Sequence, residues 1–240
     1  MAKLYVIGIG PGDPQLITVK AKNVLEQVRY LFFPKGSEEG ASLAKTIVGK
    51  IVDLSDKNIE ELHFPMAKAK DEDTKSKMHK KWRFAAERIV TKLNEGFDTA
   101  FLTLGDPALY GTFFYLMPFI SEYLPEPDIE IIPGISSISL AFSKLKLPIA
   151  QSDERIIILP ADSFRETVEV LHLFGTVVIL KLAGPDTVKM VLDNRLDFET
   201  HYLSRLGMDK ERILKIENVE NLKELGSDYF SILVLKRRKK

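Results

Sequence analysis

Along the chain, short runs of β-branched and aromatic residues alternate with stretches whose apolar residues recur at helical spacing. Strands that feed helices in this way build parallel sheets. In the first half the pattern predicts strands at Leu4–Gly8, Tyr30–Phe33, Ile59–Phe64, Thr99–Leu104 and Ile129–Ile132. Between the first two, Ile17, Ala21, Val24, Leu25 and Val28 form one apolar helix face. Met78, Trp82, Ala86, Ile89 and Leu93 form another, and Gly96 is placed to stop that helix. After Ile132 the pair Pro133-Gly134 marks a turn. Ser136 or Ser137 then caps a helix running to about Leu145, and Leu147-Pro148 breaks it.

Beyond Pro148 the alternation loosens. Strands are predicted near Arg155–Leu159, Thr176–Leu182, Thr200–Ser204, Ile213–Ile216 and Tyr229–Lys236, with helices near Phe164–Phe174 and Thr187–Arg195. The last strands follow one another through short connections, which favours antiparallel pairing and hence a mixed sheet. The expected fold class is therefore two α/β domains. Residues 1–147 form a parallel five-stranded domain, and residues 148–240 a mixed one.

Composition narrows the chemistry. Thirty-four Lys and Arg against thirty-four Asp and Glu give no net charge, so the basic excess that marks nucleic-acid binders is missing, and no nucleic-acid partner is expected. A 45% hydrophobic and 28% charged balance suits a globular core and excludes disorder as the main state. With no cysteine there are no disulfides, thiolate nucleophiles or cysteine-held metals. The four histidines, at 63, 79, 172 and 201, share no i, i+4 helical spacing, and no metal is expected. The longest apolar stretch, Phe113 to Ile120, is far too short to span a bilayer. The expectation is a soluble, cytoplasmic protein with no membrane partner. Lys68 to Arg83 reads as the solvated face of a helix, and Lys236 to Lys240 as a chain end trailing from an edge strand.

Candidate chemistry gathers in three loops. Gly8-Ile9-Gly10-Pro11-Gly12-Asp13-Pro14 follows the first strand. It resembles a nucleotide loop, but Asp13 stands where a dinucleotide fingerprint needs its third glycine, and Pro11 removes a donor. Leu104-Gly105-Asp106-Pro107-Ala108-Leu109-Tyr110-Gly111 follows the fourth strand, and Pro133-Gly134-Ile135-Ser136-Ser137 the fifth. Ligands of open α/β sheets bind beyond the carboxyl ends of the strands, so three such loops on one rim point to a site. Taken alone, Asp106 and Ser136 read equally well as turn and cap residues.

Together these motifs resemble the tetrapyrrole methylase family, S-adenosylmethionine-dependent enzymes that methylate corrin and sirohaem precursors, over essentially the whole chain. Phe33-Pro34-Lys35-Gly36, Glu38-Glu39-Gly40-Ala41-Ser42, Asp153-Glu154-Arg155 and Tyr229-Phe230-Ser231 look like the branch that methylates C20 of precorrin-2 or cobalt-factor II in vitamin B12 biosynthesis. Relatives that methylate uroporphyrinogen carry Tyr-Asp-Arg-Leu where this chain reads Phe32-Phe33-Pro34-Lys35, so their candidate base has no counterpart here.

The resemblance implies a cofactor trough between the two domains and a homodimer. Carried over motif by motif, Pro11, Leu104, Gly105, Asp106, Leu109, Ser136 and Ser137 line the S-adenosylmethionine pocket, with Lys181 and Leu206 from the second domain. Lys35, Arg155 and Arg205 are candidates for the carboxylates of a corrinoid precursor. Asp106 stays open between cofactor ligand, turn residue and catalytic base for the C20 proton. Two other classes keep the same loops: a methyltransferase acting on another tetrapyrrole, RNA or protein, and a non-catalytic cofactor-binding module.

Overall fold

The computed structural model describes residues 2–36, 42–64, 71–182, 186–193, 197–218, 220–221, 225 and 228–238. The chain divides into two compact units, Met1–Ser136 and Ser137–Lys240. The division falls before the helix that the sequence reading placed at the end of the first domain, not at Leu147. That helix, Ser137–Leu145, belongs with the second unit.

The first unit runs β1 (Lys3–Gly8), α1 (Val19–Gln27), β2 (Tyr30–Lys35), α2 (Leu43–Val48), β3 (Asn58–His63), α3 (Glu72–Asn94), β4 (Thr99–Thr103), α4 (Met117–Tyr123) and β5 (Asp128–Ile132). All five strands are parallel, in the order β3-β2-β4-β1-β5. Strand side chains alternate between faces. Ile7, Leu31, Phe33, Ala100 and Leu102 pack with α1 and α2 on one face, while Leu4, Val6, Phe32, Leu62 and Phe101 pack with α3 and α4 on the other. The result is a three-layer α/β/α arrangement in which central β4 is buried along its whole length.

Local signals set the helix limits. Thr18 caps α1 by accepting from the N–H of Ala21 at 3.1 Å. Asp71 caps α3 through the N–H of Thr74 at 2.7 Å, with Glu72 and Asp73 in the positive first turn. Gly96, at φ 88°, ends it. Two elements escape the periodicity reading. Helix α2 has only six residues, too few for an apolar period to show. The apolar run Phe113–Ile120 divides into a 3-10 turn, Thr112–Tyr115, and the start of α4, with Pro118 in its first turn.

The second unit runs α5 (Ser137–Leu145), β6 (Ile156–Pro160), α6 (Phe164–Thr167), β7 (Thr176–Leu180), α7 (Asp186–Asp193), β8 (Phe198–Ser204), β9 (Arg212–Ile216) and β10 (Ser231–Arg237). Its sheet is mixed, in the order β6-β7-β10-β8-β9, with β6 and β7 parallel and β10 antiparallel to both its neighbours. Leu159, Phe164, Leu171, Val177, Ile179 and Leu233 belong to the core on one face.

Two expectations change here. The helix read over Phe164–Phe174 is a single α turn between 3-10 segments. Thr167, Val168 and Val170 are stiff at χ1 and weaken a long helix. The Arg237 guanidinium captures the carbonyls of His172, at 2.6 Å, and Phe174, at 3.0 Å, where the segment ends. Lys236 and Arg237 are therefore not a trailing tail. Lys236 is buried, with Nζ 2.7 Å from the Glu154 carboxylate and 2.9 Å from Thr176 Oγ1. Lys239 and Lys240 lie outside the described residues, as do the motif positions 38–41, Lys68 and Arg195.

Candidate active site

Strand β1 leads into α1 on one face of the sheet, whereas its neighbour β4 leads towards α4 on the other. Adjacent strands whose connections leave on opposite faces open a crevice at their carboxyl ends, and this is where such sheets bind ligands. The glycine loop after β1 and the Gly105-Asp106 loop after β4 flank that crevice, and the Pro133-Gly134 loop after β5 adjoins it.

The three loops are locked together by backbone contact. A Cβ at Gly8 would lie 2.6 Å from the Gly134 nitrogen and 2.7 Å from the Gly105 oxygen, so this packing admits only glycine. Gly105 donates its N–H to the Gly10 carbonyl at 2.8 Å, forming an antiparallel bridge across the crevice. Gly105 itself is held at φ 68°, and a Cβ there would meet nothing within 4 Å. The side of Gly105 on which a side chain would stand is therefore open, while its N–H and carbonyl are taken up by the neighbouring loops.

Asp106 is the second fastening. Its Oδ1 accepts from the N–H of Ala108 at 2.8 Å, closing an Asx turn, and its Oδ2 accepts from the N–H of Gly134 at 3.2 Å. One carboxylate thus orders its own loop and ties it to the next. Each oxygen keeps a second lone pair for a further donor. Asp13 caps a 3-10 turn through the N–H of Gln15 at 2.9 Å. Pro11 is buried in the first loop, and Leu104, Leu109 and Ser136 are half-buried beside these turns.

In the second unit, Lys181 and Arg205 follow β7 and β8 on the rim where β10 begins. Both are non-glycine residues in the left-handed region, at φ 61° and 52°. Their N–H groups donate to Ser231 and Phe230 carbonyls at 3.1 and 2.9 Å. Lys181 Nζ lies 5.3 Å from the centroid of the Tyr229 ring, and Arg205 Nε lies 2.5 Å from the Asp228 carboxylate. Leu206 is buried next to them, and half-buried Ser137 opens α5. Backbone strain of this kind gathers at functional sites.

Arg155 stands apart. It precedes the first residue of β6, which runs parallel to β7, so it lies on the opposite rim from Lys181 and Arg205. Its carbonyl accepts from Gly175 and Thr176, and nothing brings it towards the other candidates. Sequence reasoning passed over Asp228, which anchors both Arg205 and the Phe230 N–H, the latter at 3.0 Å. The only local sign of it is an aspartate three residues before a strand, placed to close an Asx turn.

The sequence profile of the tetrapyrrole (corrin/porphyrin) methylases matches residues 3–222, a span that includes the crevice and all three loops. The chain belongs to the tetrapyrrole methylase family. It is accordingly an S-adenosylmethionine-dependent methyltransferase with the two-sheet fold of these enzymes. Over 240 residues this tetrapyrrole methylase is 35% identical to a probable cobalt-precorrin-2 C(20)-methyltransferase of Methanocaldococcus jannaschii, an alignment covering 99% of this chain and 97% of the relative. It is 31% identical over 167 residues to a precorrin-2 C(20)-methyltransferase of a Sinorhizobium species, covering 67% and 64% of the two chains. Its fold matches a uroporphyrin-III C-methyltransferase from Thermus thermophilus, solved with S-adenosylhomocysteine, at a TM-score of 0.66, 18% identity and coverage of 98% and 97%. No helix among the described residues is long and apolar enough to cross a membrane.

Proposed function

We propose that this tetrapyrrole methylase transfers a methyl group to C20 of precorrin-2 or its cobalt-bearing counterpart, cobalt-factor II or cobalt-precorrin-2, in cobalamin biosynthesis. The full-length identity to a cobalt-precorrin-2 enzyme supports the cobalt-bearing substrate. The observation that carries the reading is the glycine-locked rim at the crevice, with Gly105 open to a ligand.

S-adenosylmethionine supplies an electrophilic methyl carbon on a positively charged sulfur. Pro11, Leu104, Gly105, Leu109 and Ser136 are assigned to holding it. Lys35 and Arg205 are assigned to substrate carboxylates. Arg155 has the weakest claim because it lies on the far rim of its sheet. Asp106 serves as a positioning residue rather than a base, since both carboxylate oxygens accept backbone N–H groups that shape the rim. Fixing donor and acceptor in line lowers the barrier by up to ~7–11 kcal/mol, so rigid loops account for much of the catalysis. The reading includes a cytoplasmic location and a homodimer, as the family resemblance implies. Sedimentation at micromolar concentration tests the dimer.

The deciding experiment incubates the protein with S-adenosylmethionine and, in parallel, precorrin-2 and cobalt-precorrin-2, and follows the mass gain of one methyl. Product from the cobalt-bearing substrate at the higher rate supports the proposal. Product from neither, with the donor bound, overturns it.

A further inference from the structure

The turn that opens β10 gathers the ends of both neighbouring strands. Ser204 and Ser231 are register partners, so Arg205, the residue after β8, stands beside residues 228–230. The buried Ser231 hydroxyl donates to the Asp228 carbonyl at 2.5 Å and accepts from the Leu182 N–H at 3.1 Å, which ties the turn to the segment after β7 as well.

One carboxylate in this turn serves two donors. Asp228 Oδ1 accepts from the Phe230 N–H at 3.0 Å, and Oδ2 accepts from Arg205 Nε at 2.5 Å. The Asp228 side chain is only 16% exposed, so both bonds are sheltered from water. Arg205 is pinned along its backbone too. Its N–H donates to the Phe230 carbonyl and its carbonyl accepts from the Met208 N–H, each at 2.9 Å. Its φ of 52° is one that a non-glycine residue keeps only where the surroundings fix it.

The grip leaves the other end of the guanidinium unused. Of its five N–H donors the bond from Nε takes one, and among the described residues Nη1 and Nη2 have no hydrogen-bond partner, while the side chain is 44% exposed. Two parallel donors at that end match the two oxygens of a carboxylate. A long side chain ordinarily loses rotamer freedom when it binds, and one already held at Nε loses less. The pair with Asp228 carries no net charge, so it selects a carboxylate by fit rather than by long-range attraction.

We propose that Asp228 is a positioning residue for substrate recognition: it holds Arg205 by Nε so that Nη1 and Nη2 form a ready fork for one peripheral carboxylate of the tetrapyrrole. The proposal rests on the methyltransferase reading above, in which Arg205 takes a substrate carboxylate, and adds the residue that orients it.

The test measures, by equilibrium dialysis, the affinity of uroporphyrin I, an octacarboxylate porphyrin, for the full-length protein, Arg205→Gln, Asp228→Asn and the double variant. Asp228→Asn removes a negative charge, so attraction alone would tighten the binding of a polyanion. Positioning demands the reverse, because asparagine has one accepting oxygen for the two donors and turns its own N–H groups towards the other. Arg205→Gln and Asp228→Asn should each weaken porphyrin binding by about two- to fivefold, the range of a solvent-screened ion pair. The double variant should stay within about twofold of Arg205→Gln, because Asp228 acts through Arg205. S-adenosylhomocysteine affinity should change by less than about twofold in all three. If Asp228→Asn folds poorly, Asp228→Glu keeps the charge but displaces it by one methylene, and it should weaken porphyrin binding by about twofold or more. Tighter or unchanged binding in Asp228→Asn, unchanged binding in Asp228→Glu or in Arg205→Gln, losses that multiply in the double variant, or an equal loss of S-adenosylhomocysteine affinity would each overturn the inference. A failure of the methyltransferase reading would show separately, as no methylated product from the unaltered protein whatever the porphyrin affinities.

Discussion

Replacing Asp106 tests the role of the rim most directly. Asp106→Ala removes the acceptors of two backbone N–H groups, at 2.8 and 3.2 Å. The Ala108 donor is exposed, so water compensates most of its loss, whereas the Gly134 donor is part-buried and is left unsatisfied. Allowing for solvent screening, the sum is about 2 kcal/mol, most of it from the Gly134 bond. For a chain of this length that lowers the melting temperature by ~4–8 °C. Asp106→Asn keeps one acceptor but turns an amide donor towards one of the two N–H groups, so it should recover about half of the loss.

The assay pairs differential scanning calorimetry with S-adenosylhomocysteine titration on both variants. As a positioning residue, Asp106 should show affinity falling in step with stability, by about tenfold in Asp106→Ala, because the loops lose their mutual register. A melting temperature within ~1 °C of the unaltered protein, together with lost affinity, would mean that the carboxylate binds the cofactor directly and that the fastening carries little energy. Unchanged stability and affinity with turnover reduced by about 10²–10⁴-fold would make it the base instead.

Two further outcomes follow from local geometry. Lys146 occupies the left-handed position after α5, at φ 56°, with its N–H bonded to the Ser143 carbonyl and the Leu147 N–H to the Phe142 carbonyl, the paired bonds of a Schellman stop. Lys146→Gly should stabilise the protein by about 1 kcal/mol, seen as a rise in melting temperature, and a fall would contradict the strain argument. The Glu61 carboxyl is held below the ordinary glutamate range chiefly by its bond from Lys45, against the opposing effect of burial. A depressed carboxylate stabilises the fold above its unfolded value, about 4.3, and that stabilisation is lost as pH falls through the lower folded value. Glu61→Gln should therefore lower the melting temperature more at about pH 7 than at about pH 3. An equal effect at both pH values would exclude the ion pair as the source.

The positions of the strands were legible in the sequence because each strand of the first sheet is a short β-branched or aromatic run bounded by turn residues, and such runs need no knowledge of their partners. All five strands predicted there lie within a residue or two of those observed, and the long face of α3 is written in its helical period. The three glycine-bearing loops were legible for a similar reason. Close backbone approach and left-handed turns demand glycine, and glycine at the end of a strand is visible in the letters.

What each side chain does there was not legible, because it depends on partners distant in sequence. Asp106 read as cofactor ligand first, with turn residue and base as alternatives, and nothing in the letters showed that its second oxygen accepts from the Gly134 N–H. Arg155 looked equivalent to Arg205 until pairing put them at opposite ends of one sheet. Lys236 had the letters of a solvated tail, but it is buried against Glu154 because β10 enters between β7 and β8. Lys80 and Lys81 read as a solvated helix face, and only the edge strand brought beside α3 turns that face into the wall of a cavity. Local steric rules are encoded residue by residue, whereas the neutralisation and burial of a charge are properties of whatever the tertiary fold places next to it.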